Sequence, residues 1–127
     1  VRRRAADAGP VAALDARMGQ VYWGLCVNTG GGMTLVDAER VSAPADIVLP
    51  GDDTWLGASS GWDAYAATLL QGLGSRIHAW QAQAWPRARH VAQLGARGYA
   101  AGRVVAAQEA LPLYVRDDVA QKSSGHR

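Results

Sequence analysis

Residues 11–27, VAALDARMGQVYWGLCV, constrain the fold more than any other stretch. Two apolar runs flank a short polar break, Asp15-Ala16-Arg17-Met18-Gly19-Gln20. The first run is short and apolar throughout. The second is rich in aromatic and β-branched residues, which suit a pleated, half-buried surface. A break of this size containing Gly19 fits a hairpin with a bulge or a longer loop. Two antiparallel strands therefore open a sheet on which the rest of the chain must build. Tyr22 and Trp23 alternate along the second strand, so they face opposite sides.

Turn residues order the remainder. Gly9-Pro10 stops an Ala- and Arg-rich run, residues 1–8, that reads as the tail of a helix. Asn28-Thr29-Gly30-Gly31-Gly32 is a pliable turn. A phosphate loop would need its glycines tied to a helix N-terminus, usually with a lysine. Met33-Thr34-Leu35-Val36 follows instead and reads as a strand, continuing irregularly to about Ser42, so the turn closes a second hairpin. Pro44 and Asp46 mark the start of a short helix that Pro50-Gly51 ends. Residues 54–58, TWLGA, read as a buried strand.

Ser60 and Asp63 have the spacing of a capping box at the next helix start, with Asp replacing the usual Glu or Gln. Trp62, Tyr65, Ala66, Leu69 and Leu70 give that helix one apolar face, and Gly72 and Gly74 end it. Residues 77–80 form a short strand. Pro86 starts the longest helix, to about Ala101, with Ala88, Val91, Ala92, Gly95 and Tyr99 as its buried stripe. In the tail, Leu111, Leu113 and Val115 alternate with Pro112 and Tyr114. Residues 111–115 are expected to dock as an edge or in a surface groove, and residues 123–127 to be disordered. Three antiparallel strands followed by a βαβα order imply an α/β chain, with helices packed on a mixed sheet.

Composition narrows the chemistry. The 127 residues suffice for one domain with its own core. Phe is absent, so five Trp and four Tyr supply the aromatic bulk. They fill the core, or one or two of them mark a partner surface. The net charge of +2 does not indicate an RNA-binding surface, and the one basic run, Arg2-Arg3-Arg4, reads as a solvated terminus. Cys26 stands alone, which excludes an intrachain disulfide and a cysteine metal cluster. In a strand it packs as a small hydrophobe. No run is apolar enough to span a bilayer and no signal peptide opens the chain, so a cytoplasmic protein is the default. His78, His90 and His126 are scattered. Ser59, Ser60 and Asp63 are sequence neighbours without the base–nucleophile arrangement of a triad. No catalytic residue, metal ligand or cofactor is expected.

The break and the tail carry a family resemblance. Asp15, Ala16, Arg17, Met18, Gly19, Val21, Tyr22 and Trp23 closely resemble a motif of the bacterial TsaB (YeaZ) family, and Pro112, Tyr114 and Arg116 match its Pro-x-Tyr-x-Arg segment near the C-terminus. The resemblance implies a ribonuclease-H-like fold, one half of the actin-like ATPase superfamily. In the family the first motif opens the second half. The chain is thus expected to be a C-terminal half: residues 1–10 a helix tail or linker from the N-terminal half, 11–110 the ribonuclease-H-like domain, and 111–127 the C-terminal tail.

The resemblance further implies a non-catalytic accessory or scaffold subunit of the complex that forms N6-threonylcarbamoyladenosine in tRNA next to the anticodon. TsaD-like and TsaE-like proteins would be its partners, with a homodimer as a further state, tRNA reached only indirectly, and no membrane. The metal-binding His-x-x-x-His motif of TsaD has no counterpart here. The alternative is half of an actin-like nucleotide-binding phosphotransferase. There Asp15 would help hold metal and phosphates, and the turn carrying Gly57 and Gly61 would approach the adenosine. The plain readings are an Asx-type turn at Asp15 and a Ser-capped tight turn at Gly57 to Gly61. A ribonuclease-H-like nuclease would need convergent carboxylates, which the expected strands do not offer.

Overall fold

The computed structural model describes residues 9–30 and 32–116. Its sheet grows from the hairpin. β1 (Pro10–Asp15) pairs antiparallel with β2 (Val21–Asn28), Ala13 opposite Trp23. Val11, Ala13, Val21, Trp23 and Leu25 are buried, while Tyr22 is half-buried on the other face, as strand alternation requires. The glycine turn closes the second hairpin, with the Thr29 N–H donating to the Gly32 carbonyl at 3.1 Å. The expected third strand is two short ones. β3 (Met33–Leu35) pairs with the far end of β2, and β4 (Arg40–Ser42) with its near end. Between them Asp37 breaks the ladder, accepting the Ala38 N–H and pairing with the Arg40 guanidinium at 2.6 Å.

The expected helix near Pro44 is a single 3-10 turn, Pro44–Asp46. Ile47 and Leu49 then drop into the core, which the extended backbone at Ile47 permits and a continued helix would not. β5 (Trp55–Ala58), α1 (Ser60–Leu73) and β6 (Ile77–Gln81) form a βαβ unit with β5 parallel to both β1 and β6. The strand order is β3-β2-β1-β5-β6, with β4 also on β2. This is the mixed sheet that the element order implied. Gly74, at φ +57°, closes α1 and donates its N–H to the Leu70 carbonyl.

The core lies between the sheet and α1. Trp62, Leu69 and Leu73 are buried there, Tyr65 and Leu70 pack against them, and Val11, Val21, Ile47, Trp55 and Ile77 complete the cluster. The Arg76 guanidinium ties the preceding loop down by donating to the carbonyls of Leu49, Pro50 and Asp53.

Two expectations fail beyond β6. α2 (Ala88–Ala100) has 13 residues, about the length of α1, whose 14 include a kink at Tyr65, and it buries none of them. Its expected buried stripe is open, with Val91 63% and Tyr99 76% exposed. Helical spacing states which residues share a face, not what covers it. β6 is itself exposed after Ile77, so the chain leaves the sheet from an uncovered edge. Among the described tail residues, Leu111, Leu113 and Tyr114 are 73–80% exposed, and Val115 and Arg116 are half-buried. Leu111 and Leu113 do not dock; Val115 and Arg116 do. The expected helix tail in residues 1–8, with Arg2-Arg3-Arg4, and the expected disorder of residues 123–127 lie outside the described residues. No helix among the described residues is long and apolar enough to cross a membrane.

Candidate functional site

Parallel pairing of β1 with β5 brings the ends of both strands and the start of α1 to one place. All three residues weighed for nucleotide binding meet here, and each has a structural occupation. The Asp15 N–H donates to Ser60 Oγ at 3.1 Å, and Asp15 Oδ1 accepts the Arg17 N–H at 3.0 Å. The carboxylate thus makes the Asx-type turn while the backbone ties β1 to the helix start. Gly57 lies beneath the indole of Trp62, where a Cβ would overlap the ring. A Cβ on Gly61 would lie 2.7 Å from the Ala13 carbonyl oxygen. These glycines permit close approach of α1 to the sheet.

The Ser60–Asp63 capping box does not form, because both side chains serve distant partners. Ser60 Oγ accepts from Asp15. The Asp63 carboxylate accepts the Gln83 N–H at 3.1 and 3.3 Å, fastening the segment after β6 to α1. Trp62, fully buried, donates its Nε1–H to the Val11 carbonyl at 3.1 Å and stacks on Trp80 with ring centroids 6.3 Å apart.

Sequence reasoning rejected a triad at Ser59 but did not weigh its spacing to the flanking glycines. Gly57-Ala58-Ser59-Ser60-Gly61 has the G-x-S-x-G spacing of a nucleophile elbow, and it sits between a strand and a helix as that motif requires. The backbone at Ser59 is strained to match, at φ +87° and ψ −177°. Its hydroxyl, however, is buried with no hydrogen-bond partner among the described residues. A serine nucleophile needs a base within reach and access to substrate. His78 is exposed on β6, and His90 is exposed on α2, where it bonds Gln93. Among the described residues no three His, Cys, Asp or Glu side chains gather into a metal site. The strain is therefore local. Ser59→Gly should relieve it and remove the orphaned hydroxyl, raising stability by about 1 kcal/mol. Thermal unfolding checks this; a lowered midpoint would show that the hydroxyl is held.

The β1–β2 turn is the second notable feature. Arg17, Met18 and Gly19 all have positive φ, at 63°, 57° and 70°. The turn is closed by the Ala16 N–H to the Gln20 carbonyl at 2.9 Å and the Gln20 N–H to the Arg17 carbonyl at 3.0 Å. Arg116 reaches it from the tail. Its guanidinium donates to the Ala16 carbonyl at 2.9 Å and to Gln20 Oε1 at 2.7 Å, and lies over the Tyr22 ring at 5.4 Å. The two segments that carry the family resemblance thus touch. Only proximity in space could reveal this, since no local pattern links positions so far apart in the chain.

Elsewhere, a groove of about 350 Å³ is lined by Trp23, Leu25, Val36, Arg40, Val48 and Pro50. Trp23 closes it from below, its Nε1–H donating to Ser42 Oγ at 3.0 Å and Arg40 lying 5.7 Å over its ring. Of the five Trp, Trp23, Trp55 and Trp62 are core residues, while Trp80 and Trp85 are exposed. Cys26, partly buried beside β3, has its thiol pKa raised, first by burial and second by the Glu39 carboxylate. Alkylation at pH 8 should therefore be slower than for a free cysteine, and Glu39→Gln should speed it. Equal rates would refute the shift.

No family model matches this chain, and no curated protein matches it. Solved structures do. A Pseudomonas aeruginosa protein described as uncharacterized, with similarity to peptidase YEAZ, is 34% identical with a TM-score of 0.72 over 84% of this chain. YeaZ from Pseudomonas aeruginosa is 35% identical with a TM-score of 0.70 over 83% of this chain. The chain spans about half, 49%, of the length of each.

Proposed function

We infer, from a chain that is TsaB-like (YeaZ-like) in fold and sequence and consistent with the C-terminal half of such a protein, that it serves as a scaffold rather than a catalyst. On this reading it is the C-terminal domain of a cytoplasmic accessory subunit for N6-threonylcarbamoyladenosine formation in tRNA. It would support the other half of the protein in pairing with TsaD-like and TsaE-like partners. The observation that carries the reading is the occupation of the candidate site. Asp15, Gly57, Ser60 and Gly61, on which an actin-like nucleotide site would draw, are taken up in joining β1 to α1. Among the described residues no base stands beside the elbow at Ser59, which favours a scaffold over the peptidase chemistry named for a relative.

The test is a chimera in which this chain replaces the matching half of Pseudomonas aeruginosa YeaZ, expressed in cells depleted of their own TsaB. Mass spectrometry of tRNA hydrolysates should show the modified adenosine restored. Failure of a folded chimera to restore it refutes the tRNA role. ATP turnover by the purified chain, abolished by Asp15→Ala, would instead favour the actin-like phosphotransferase half.

A further inference from the structure

We propose that Arg116 is a releasable latch that couples the C-terminal segment to the β1–β2 turn, so that the two open and close together. The turn supplies the acceptors. Its left-handed residues Arg17 and Met18 place the Ala16 and Arg17 carbonyls and Gln20 Oε1 around one guanidinium, at 2.9, 3.4 and 2.7 Å. Left-handed backbone is costly for residues other than glycine and persists only where its surroundings hold it. A cation shared between successive carbonyls is such a hold. Met18 Sδ, at 3.7 Å, and the Tyr22 ring complete the seat.

The tail in turn depends on the same side chain. Leu111, Leu113 and Tyr114 are exposed, so little apolar burial holds the segment down. α2 and the chain after it bury no residue up to Tyr114. The guanidinium is the polar anchor, and it is an incomplete one: its Nε is buried without a partner among the described residues. A buried donor left unpaired weakens the docked state relative to one in which water reaches it. The geometry is that of a strap held at one point and ready to let go. Since each side stabilises the other, the coupling is reciprocal: a change on the turn must be felt in the tail, and the reverse.

The full chain tests this, with amide hydrogen exchange read at the hydrogen-bonded turn, residues 16–20, and 15N order parameters read in the tail, residues 113–116. Arg116→Ala should raise exchange about tenfold or more in the turn and lower the order parameters in the tail. Gln20→Ala, which leaves the tail sequence intact, should lower the order parameters in the tail. Arg116→Lys should fall between, because an ammonium cannot fork across several acceptors. Leu113→Ala, at an exposed position, should change neither. A loosened tail with an unaltered turn in Arg116→Ala would overturn the coupling, as would an unaltered tail in Gln20→Ala. Should Arg116→Ala fail to fold, Gln20→Ala and Arg116→Lys decide by the same readouts. The outcome is independent of the tRNA chimera, which can succeed or fail with the latch intact.

Discussion

Trp62→Ala is expected to lower stability by about 3–5 kcal/mol, the range for truncating a buried aromatic side chain. Trp62 is fully buried at the start of α1, and Gly57, which its ring covers, has no side chain to fill the void. The indole also supplies the donor for the Val11 carbonyl on β1. Domains are stable by only about 5–15 kcal/mol, so the variant should be partly or wholly unfolded at moderate urea. Trp62→Phe separates the two contributions. It keeps most of the ring but removes the indole donor to the Val11 carbonyl, which the β1–β5 ladder still pairs, at about 0.5–1.5 kcal/mol. Urea midpoints followed by far-UV circular dichroism give both values. A midpoint unchanged in Trp62→Ala would remove Trp62 from the core.

Gly61→Ala is expected to destabilise although alanine is the better helix former by about 1 kcal/mol. The new Cβ would lie 2.7 Å from the Ala13 carbonyl oxygen and 2.9 Å from its carbon. Both are backbone atoms of a strand paired on each side, so no rotamer change relieves the contact. The start of α1 must lift, and Ser60 with it, loosening the bond from Asp15. Overpacking of this kind costs about 1–3 kcal/mol, and the rigidity of the neighbour places this case at the upper end. Thermal unfolding reads the sign directly. A gain in stability would mean that α1 does not sit on β1 and that Gly61 is free for another use.

The local plan of this protein was readable from its residues. The break at residues 15–20 between a short apolar run and an aromatic-rich one specified the first hairpin, because strand alternation and turn chemistry are local properties. The glycines after Asn28 specified the second. Trp62, Leu69 and Leu70 marked the inward side of α1, because one helical period suffices to define a face. The resemblance at both ends of the chain pointed to the family with which the structure agrees.

Other features depended on contacts that no window of sequence contains. Asp63 was read as a cap, but the Gln83 N–H lay closer to its carboxylate once β6 had returned. The stripe on α2 had the right period, yet a period cannot say whether another surface lies against it. Gly57 and Gly61 read as a tight turn, with a nucleotide turn as the alternative. Parallel pairing of β1 with β5 brought Trp62 and the Ala13 carbonyl into the space that their missing Cβ atoms leave. Ser59 showed its strain only as a backbone angle. Arg116 was legible as a tail residue, and its seat on the turn became visible only after folding. Sequence alone thus determined the two hairpins and the inward face of α1, since neighbouring side chains decide those. The tertiary structure alone decided which polar groups meet and which faces stay open, since those depend on distances that close only when the sheet is built.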